Sequence, residues 1–208
     1  GGPAGGRGNS VNTLSFSKSF YRINNNQYSG TLELNSSLGG GKFSNNLVVG
    51  YTALRDFRQS AGGVEVDNVP TVDILGPNGQ NMTTFGPDPF TKNNKLDQDV
   101  IQFNDNFTIY QKDHTISVGT ANEYYYFNNV FTPVVNGNYR YGSLADFYAD
   151  ADVGTTASVR PANYNIQYVA VTGGPEATAA KWSALQLGFY AQDVYKGIHN
   201  LTLTAGLR

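Results

Sequence analysis

The 208-residue chain has no cysteine, one tryptophan and few charged side chains. The lack of cysteine excludes a disulfide framework and thiolate metal sites. Charged residues make up 14% of the chain, against about 25% in typical soluble domains. Its 14 lysines and arginines and 16 acidic residues give a net charge of -2. The composition therefore gives no indication of the basic patch that a nucleic-acid partner requires.

Long apolar runs are also missing. No stretch approaches the roughly 18 consecutive apolar residues that indicate a membrane-spanning helix. A count of consecutive apolar residues does not detect membrane strands, because their apolar residues alternate with polar ones. The chain is instead rich in glycine (24), tyrosine (14) and phenylalanine (12), which is typical of a β-rich exported protein.

Alternation of apolar and polar residues is the strongest pattern, and it occurs in three pairs of segments near 27–54, 99–127 and 185–208. Period-two alternation predicts strands with one apolar face. The turns within the pairs are short, with the sequences GGGKFSN, QKDH and YKGIHN, so each pair is predicted to be a hairpin. In the last pair, the apolar face consists of Leu185, Leu187, Phe189, Ala191, Leu201, Leu203, Ala205 and Leu207.

Two long polar segments, near 55–98 and 129–183, separate the hairpins. We expect them to be loops, with one short helix or turn over 141–151. Loops of this length are uncommon in compact soluble domains. Short turns that alternate with long loops are typical of outer-membrane barrels, whose periplasmic turns are short and whose extracellular loops are longer.

The predicted fold is all-β: an antiparallel up-and-down transmembrane β-barrel with an apolar surface toward lipid and a polar lumen. Strands of about 9 to 13 residues suit a tilted membrane strand of roughly 9–11 residues, whereas soluble strands average about 5–6. The aromatic cluster at 124–127 is predicted to join an interfacial aromatic belt. Asp105 falls on the apolar side of its strand, and a β-bulge is the one explanation that the sequence offers.

The number of strands is too small for a closed barrel. The pattern contains about six strands, barrels of this class begin at eight, and lipid cannot satisfy two open sheet edges. Arg208 also lies in mid-strand. We therefore expect residues 1–208 to be a partial barrel domain, about six strands of a larger barrel.

The last hairpin resembles a known family. The stretch GFYAQDVYKGIHNLTLTAGLR is similar to the barrel hairpin of TonB-dependent outer-membrane receptors. The stretches YRINNNQYSGTLELNSSL, KFSNNLVVGYTALRDFR, DNFTIYQKDHTISVG and YGSLADFYA resemble the Oar-like branch of Bacteroidota, which carries a carboxypeptidase-regulatory-like domain before its plug. The resemblance covers nearly the whole chain from about Asn9.

This resemblance implies a 22-stranded barrel that is occluded by an N-terminal plug and energised by TonB. Neither a plug nor a TonB box is recognisable in the sequence, so we expect transport to belong to a longer parent protein. The implied partners are outer-membrane lipid, TonB through the N-terminal part of the parent chain, and a surface lipoprotein. The imported nutrient would be bulky, of the siderophore, glycan or peptide class.

Four residues are candidate lumen-facing contacts, because alternation sends them to the wet face of the barrel or to its mouth. They are Glu33, Arg55, Tyr190 and Gln192. His114 and His199 lie in short turns, where we expect solvated side chains rather than a metal ligand or a general base. No catalytic residue and no cofactor are predicted.

Acidic residues of the long segments are the remaining candidates for chemistry, because calcium binds carboxylate oxygens. They are Asp67, Asp73, Asp146, Asp150 and Asp152. No complete EF-hand pattern surrounds them, so we predict solvated loop acids and no metal site.

Two alternatives stay open at this point. A soluble secreted β-sandwich, such as a carbohydrate-binding or adhesin module, would pack the apolar faces sheet on sheet. A secreted hydrolase would use the loop carboxylates. Dependence of folding on detergent separates the membrane barrel from the sandwich, and substrate turnover would identify the hydrolase.

Overall fold

The computed structural model describes residues 7–61, 68–152, 154 and 160–208. These residues divide into two compact units. The first, called the loop unit, comprises the described parts of 7–25, 55–96 and 129–180. The second, called the strand unit, comprises 26–54, 97–128 and 181–208. Most of the loop unit therefore comes from the two segments for which the sequence predicts loops.

Strands dominate both units, and the one α-helix among the described residues is short. The elements in chain order are β1 (Tyr21–Leu38), β2 (Phe43–Ser60), β3 (Thr71–Leu75), β4 (Asn81–Phe85), β5 (Asn94–Gln111), β6 (His114–Phe131), β7 (Asn138–Tyr141), α1 (Leu144–Ala151), β8 (Asn163–Asn165), β9 (Ala180–Gln186), β10 (Phe189–Ile198) and β11 (Leu201–Leu207). Within the described residues, no helix has the length and apolar character to cross a membrane.

The larger sheet has the strand order β1-β2-β5-β6-β10-β11, and β9 also pairs with β6. The β6–β10 and β10–β11 pairs are antiparallel. Between β9 and β10, the backbone N–H of Ala121 still donates to the carbonyl of Gly188 (2.8 Å). Strands β9 and β10 therefore lie end to end along β6 and act as one interrupted strand.

Four of these strands, β1, β2, β5 and β6, are 18 residues long. The predicted length of about 9 to 13 residues is therefore wrong for them, and they are about twice as long as the roughly 9–11 residues needed to cross a membrane. The added residues are mainly polar, as in RDFRQS at the end of β2 and NKLDQ at the start of β5. Alternation fails in such stretches, so the sequence pattern does not detect them.

The strand unit keeps one apolar face exposed. In the β10–β11 hairpin, Ala191 pairs with Leu207 and Gln192 with Gly206, so the apolar and polar residues separate as alternation predicts. Phe189 is 67% exposed and Leu203 is 50% exposed. A β-sandwich would bury these side chains against a second sheet, and here they stay exposed.

Asp105 stays on the apolar face beside Asn45, so its side chain is not turned to the polar face as a β-bulge would do. The side-chain amide of Asn45, on β2, donates to Asp105 Oδ1 (2.8 Å). Residues two apart on a strand share a face, and the rings of Phe43 and Phe107 stack beside this pair at 5.9 Å. A partner on the neighbouring strand, rather than a change of direction, therefore satisfies the carboxylate.

This pair predicts a specific mutational pattern. Asp105→Ala is expected to lower the free energy of unfolding by about 1–3 kcal/mol, because Asn45 then loses its partner on an apolar face. Replacing both Asn45 and Asp105 with leucine is expected to cost less than Asp105→Ala alone. Heat-dependent gel mobility of the purified protein in detergent measures both. A double variant that is less stable than the single one would contradict the pairing.

The loop unit has its own four-stranded sheet, with the order β4-β3-β7-β8. Strand β3 pairs antiparallel with β4 and parallel with β7, with Thr71 opposite Asn138 and Ile74 opposite Tyr141. The buried side chains of Val72, Ile74 and Tyr141 form its core. The expectation of simple loops is therefore wrong, because each strand has only three to five residues and is too short for alternation to detect.

The helix α1 lies within the stretch 141–151 for which the sequence predicts a helix or turn. Ser143 is its N-cap, and the hydroxyl oxygen accepts a hydrogen bond from the backbone N–H of Asp146 (3.1 Å). The ring of Phe147 packs edge-on against Tyr141 at 5.3 Å. The helix is therefore held to the core of the loop unit through an aromatic contact.

Candidate functional site

The polar face of the strand unit is the candidate site, because its side chains point away from the exposed apolar face. Hydroxyl groups of neighbouring strands bond to one another along it. The pairs are Ser29 with Thr52 (3.2 Å), Ser44 with Tyr110 (3.2 Å) and Thr108 with Ser117 (3.1 Å). These bonds orient neutral donors and acceptors across the sheet.

Glu33 lies on β1 within a group of amides. Its Oε1 accepts hydrogen bonds from Asn46 (2.6 Å) and Asn35 (3.0 Å). The amide of Asn46 also donates to Asn35 Oδ1 (2.8 Å). The three side chains form a local network in which the carboxylate is already partnered by neutral groups.

Tyr190 and Gln192 lie together on β10. Tyr190 is opposite Gly119 and Gln192 is opposite Ser117 on β6. Both line a hollow of about 550 Å³. Its full lining is Ala121, Tyr190, Ala191, Gln192, Gly206, Leu207 and Arg208. Strands β2, β5 and β6 separate β10 from β1, so Glu33 lies four strands away in the sheet.

Gly119 allows the Tyr190 side chain to lie flat against β6. A Cβ atom at Gly119 would come within 2.4 Å of the Tyr190 hydroxyl and 2.5 Å of the Asp105 carbonyl oxygen. The tyrosine ring can move, but the backbone carbonyl cannot do so without distorting β5. The glycine is therefore required at this position of the polar face.

Gly119→Ala is expected to lower the free energy of unfolding by about 1–3 kcal/mol, the usual cost of overpacking. Gly30→Ala is the matched control, because a Cβ atom at Gly30 would meet no atom within 4 Å. Thermal unfolding of both variants in the same detergent gives the comparison. Equal stability of the two variants would contradict the close approach at Gly119.

Arg55 is the fourth candidate contact. It lies in β2 and is half-buried, and it belongs to the loop unit, whereas Glu33, Tyr190 and Gln192 belong to the strand unit. Of the three candidates in the strand unit, the structure brings together Tyr190 and Gln192.

Sequence reasoning missed a second group on the polar face. The amide of Gln102 donates to Glu123 Oε1 (2.8 Å), and the Tyr125 hydroxyl donates to Glu123 Oε2. Two further aromatic rings, Phe127 and Trp182, follow beside Tyr125. Alternation within residues 124–127 indicates this group, because Tyr125 and Phe127 share one face of the strand and Tyr124 and Tyr126 share the other. The prediction of an interfacial aromatic belt takes all four residues together and does not separate the two faces.

Asp73 is buried in the loop unit, so its prediction as a solvated acid is wrong. Its carboxylate accepts hydrogen bonds from Arg7 Nη2 (2.6 Å) and Nε (2.9 Å), from the Thr84 hydroxyl (2.7 Å) and from the Asn138 amide (3.1 Å). Burial on its own would raise the pKa of Asp73. The hydrogen bonds and positive charge of Arg7, together with hydrogen bonds from Thr84 and Asn138, hold the pKa below its ordinary value. The group joins the N-terminal segment to β3, β4 and β7.

Two of the other candidate acids, Asp150 and Asp152, have structural partners, and Asp146 donates its backbone N–H to the Ser143 hydroxyl. The Tyr141 hydroxyl donates to Asp150 (2.6 Å), and burial together with this bond raises the pKa of Tyr141 to about 12. Asp152 Oδ1 accepts a hydrogen bond from the backbone N–H of Gly154 (2.9 Å). Asp67 lies outside the described residues. Across the described part of the chain, no three His, Cys, Asp or Glu side chains are grouped to hold a metal ion.

The two histidines differ. His114 begins β6, and its Nδ1 lies 2.7 Å from Asp193 Oδ2, with both side chains more than a third exposed. Its ring also packs against Tyr195 at 4.8 Å. His199 is exposed in the turn between β10 and β11. His114 is therefore a partnered strand residue and not an isolated turn residue.

Comparison with known proteins now decides the family. The profile of the outer membrane beta barrel domain matches residues 8–208. The chain belongs to this family. Searches of curated proteins and of solved structures found no match to it. The predicted all-β antiparallel fold and the predicted location in the outer membrane are confirmed.

Family membership also identifies what surrounds each face of the strand unit. In an outer membrane beta barrel, the apolar face meets lipid and the polar face lines the interior. The soluble β-sandwich alternative does not agree with this family or with the exposed apolar face. The hydrogen-bonded polar face is thus the interior wall of the barrel.

Proposed function

We propose that the chain forms part of the barrel of a TonB-dependent receptor of the Oar-like branch, which imports a bulky nutrient. The observation that supports this best is the loop unit. The segments 55–96 and 129–180 contribute most of a folded unit with its own sheet and buried core. Binding residues are commonly presented by loops on a rigid scaffold, so a structured loop unit suits capture of a large ligand.

The protein would act by binding and translocation, without bond chemistry. Outer-membrane lipid would cover the apolar face. TonB would supply energy through a part of the parent protein outside these 208 residues, and a surface lipoprotein would assist capture. The nutrient belongs to the siderophore, glycan or peptide class.

Growth of the source bacterium tests this proposal. A strain that lacks the parent gene is compared with wild type on single nutrients of the three classes, and a strain that lacks TonB is compared in parallel. We expect both deletions to abolish use of the same nutrient. If the strain without the parent gene cannot use a nutrient that the strain without TonB still uses, the proposal is contradicted.

A further inference from the structure

Three aromatic rings form a continuous surface on the polar face of the strand unit. The rings of Phe127 and Trp182 stack with centroids 4.9 Å apart and planes 16° apart. Those of Tyr125 and Phe127 stack at 6.1 Å and 6°. Trp182 is 47% exposed. We call these three residues the aromatic platform.

Strand register explains why the platform is on the polar face. Phe189 pairs with Thr120 and Tyr190 with Gly119, and β9 continues the same course along β6. Extending this register places Trp182 opposite Phe127, where the two rings stack. The platform therefore shares its face with Tyr190 and Gln192 and not with the lipid-facing Phe189.

Hydrogen-bonding groups lie directly beside the platform. Glu123 accepts from both Tyr125 and Gln102, so its carboxylate is fixed in position. Carboxylates and amides retain free lone pairs or N–H groups after one such bond. Farther along the same strand, Ala121 lines the hollow of about 550 Å³ that also contains Tyr190 and Gln192. A ligand that extends from the platform into this hollow would meet Ala121, the Tyr190 ring and the Gln192 amide.

We propose that the aromatic platform, with Glu123 and Gln102, is a binding site for a neutral oligosaccharide. The proposal rests on the function proposed above, because it names the nutrient class. A pyranose ring has an apolar C–H face that covers an aromatic ring and hydroxyl groups at its edge that bond to carboxylate and amide groups. Aromatic side chains with a small number of placed polar groups are the usual lining of a small-molecule site.

The carboxylate of Glu123 helps to distinguish a neutral oligosaccharide from charged ligands. A cationic ligand would also stack on the rings, so the titration includes cationic ligands as competitors of the saccharide. The negative charge of Glu123 would repel an anionic siderophore, because the groups that bond to this carboxylate are the neutral side chains of Gln102 and Tyr125. The rings and the polar border together fit a neutral ligand with many hydroxyl groups.

Calorimetric titration of the full-length protein in detergent tests the site. The probes are maltohexaose, cellohexaose, xylohexaose, mannohexaose and chitohexaose. We expect at least one to bind, and Trp182→Ala to weaken that binding by about tenfold through the loss of a stacking partner. Trp182→Phe keeps a ring and is expected to retain most of the affinity. The tryptophan emission that is lost in Trp182→Phe is expected to shift when the saccharide binds to wild type.

Tyr124 provides the matched control. It is adjacent to Tyr125 in sequence but alternation places it on the opposite face, so Tyr124→Ala is expected to leave saccharide binding unchanged. Binding that Tyr124→Ala weakens as much as Trp182→Ala would overturn the proposal. Failure of all five saccharides to bind would overturn it as well, as would binding of cationic or peptide ligands alone.

The two proposals fail in distinguishable ways. Saccharide binding that depends on Trp182, together with uptake that does not require TonB, would overturn the transport proposal and support the site. TonB-dependent uptake of a nutrient by a protein that binds no saccharide would support transport and overturn the site.

Discussion

Replacing Asp73 with alanine is expected to lower the free energy of unfolding of the loop unit by about 3–5 kcal/mol, the cost of breaking a buried ion pair. Arg7 is 4% exposed and Asp73 is fully buried. The alanine variant would leave the Arg7 guanidinium buried without its bidentate partner. Hydrogen exchange of the β3 and β4 backbone amides, followed by mass spectrometry, reports this local loss directly.

Acid should have the same effect on the wild-type protein. The pKa of Asp73 is lowered in the folded state, so its contribution to stability is complete above the unfolded pKa of about 3.9. That contribution is lost as the pH falls below this value and through the folded pKa. The protection of the β3 and β4 amides, measured against the intrinsic exchange rate at each pH, is therefore expected to fall at acid pH in wild type, with a smaller change in Asp73→Ala.

Two controls sharpen this prediction. Asp150→Ala removes one hydrogen bond from Tyr141 and is expected to cost only about 0.5–1.5 kcal/mol. The double variant Arg7→Met with Asp73→Leu removes both charges and is expected to recover much of the loss, because apolar replacements of a buried pair are often neutral. An Asp73→Ala variant that is no less stable than Asp150→Ala would contradict the role of the ion pair.

Phe103→Arg is expected to destabilise the strand unit by about 2–4 kcal/mol, the cost of an arginine on the lipid face of a barrel near the membrane midplane. Phe103 lies within β5 and is 43% exposed. In an outer membrane beta barrel that exposed surface meets lipid, which cannot solvate a guanidinium. The yield of folded protein in the outer membrane, and its resistance to heat in detergent, measure the effect.

Asn104→Arg is the matched control, because it adds the same charge one residue along the same strand on the polar face. A charge on the interior face stays in contact with water, so we expect a change of less than about 1 kcal/mol. Equal loss of folded protein in the two variants would contradict the assignment of the faces.

The faces of the long strands could be predicted from sequence because the side-chain period of a strand is two and one face is apolar. The pairing of Ala191 with Leu207 follows from that pattern alone. The same pattern separates Tyr125 and Phe127 from Tyr124 once each residue is assigned to a face. A single aromatic belt over residues 124–127 does not distinguish these two faces.

Contacts between distant segments could not be predicted in this way. Arg7 bonds to Asp73 and Asn45 bonds to Asp105 across 66 and 60 residues, and neither pair leaves a local pattern in the sequence. The parallel pairing of β3 with β7 likewise joins two segments that appear polar and irregular. The sequence predicts a loop at Trp182, because the pairing of β9 with β6 joins segments that are distant in the chain.

The central claim is that β5 separates lipid from a polar interior, and spin labelling tests it most directly. The 208 residues contain no cysteine, so single cysteines at Ile101, Gln102, Phe103 and Asn104 introduce defined label sites in this region. In outer-membrane lipid, we expect collisions with dissolved oxygen to dominate at positions 101 and 103, and collisions with a water-soluble nickel chelate to dominate at 102 and 104. Water-accessible labels at all four positions would contradict the account.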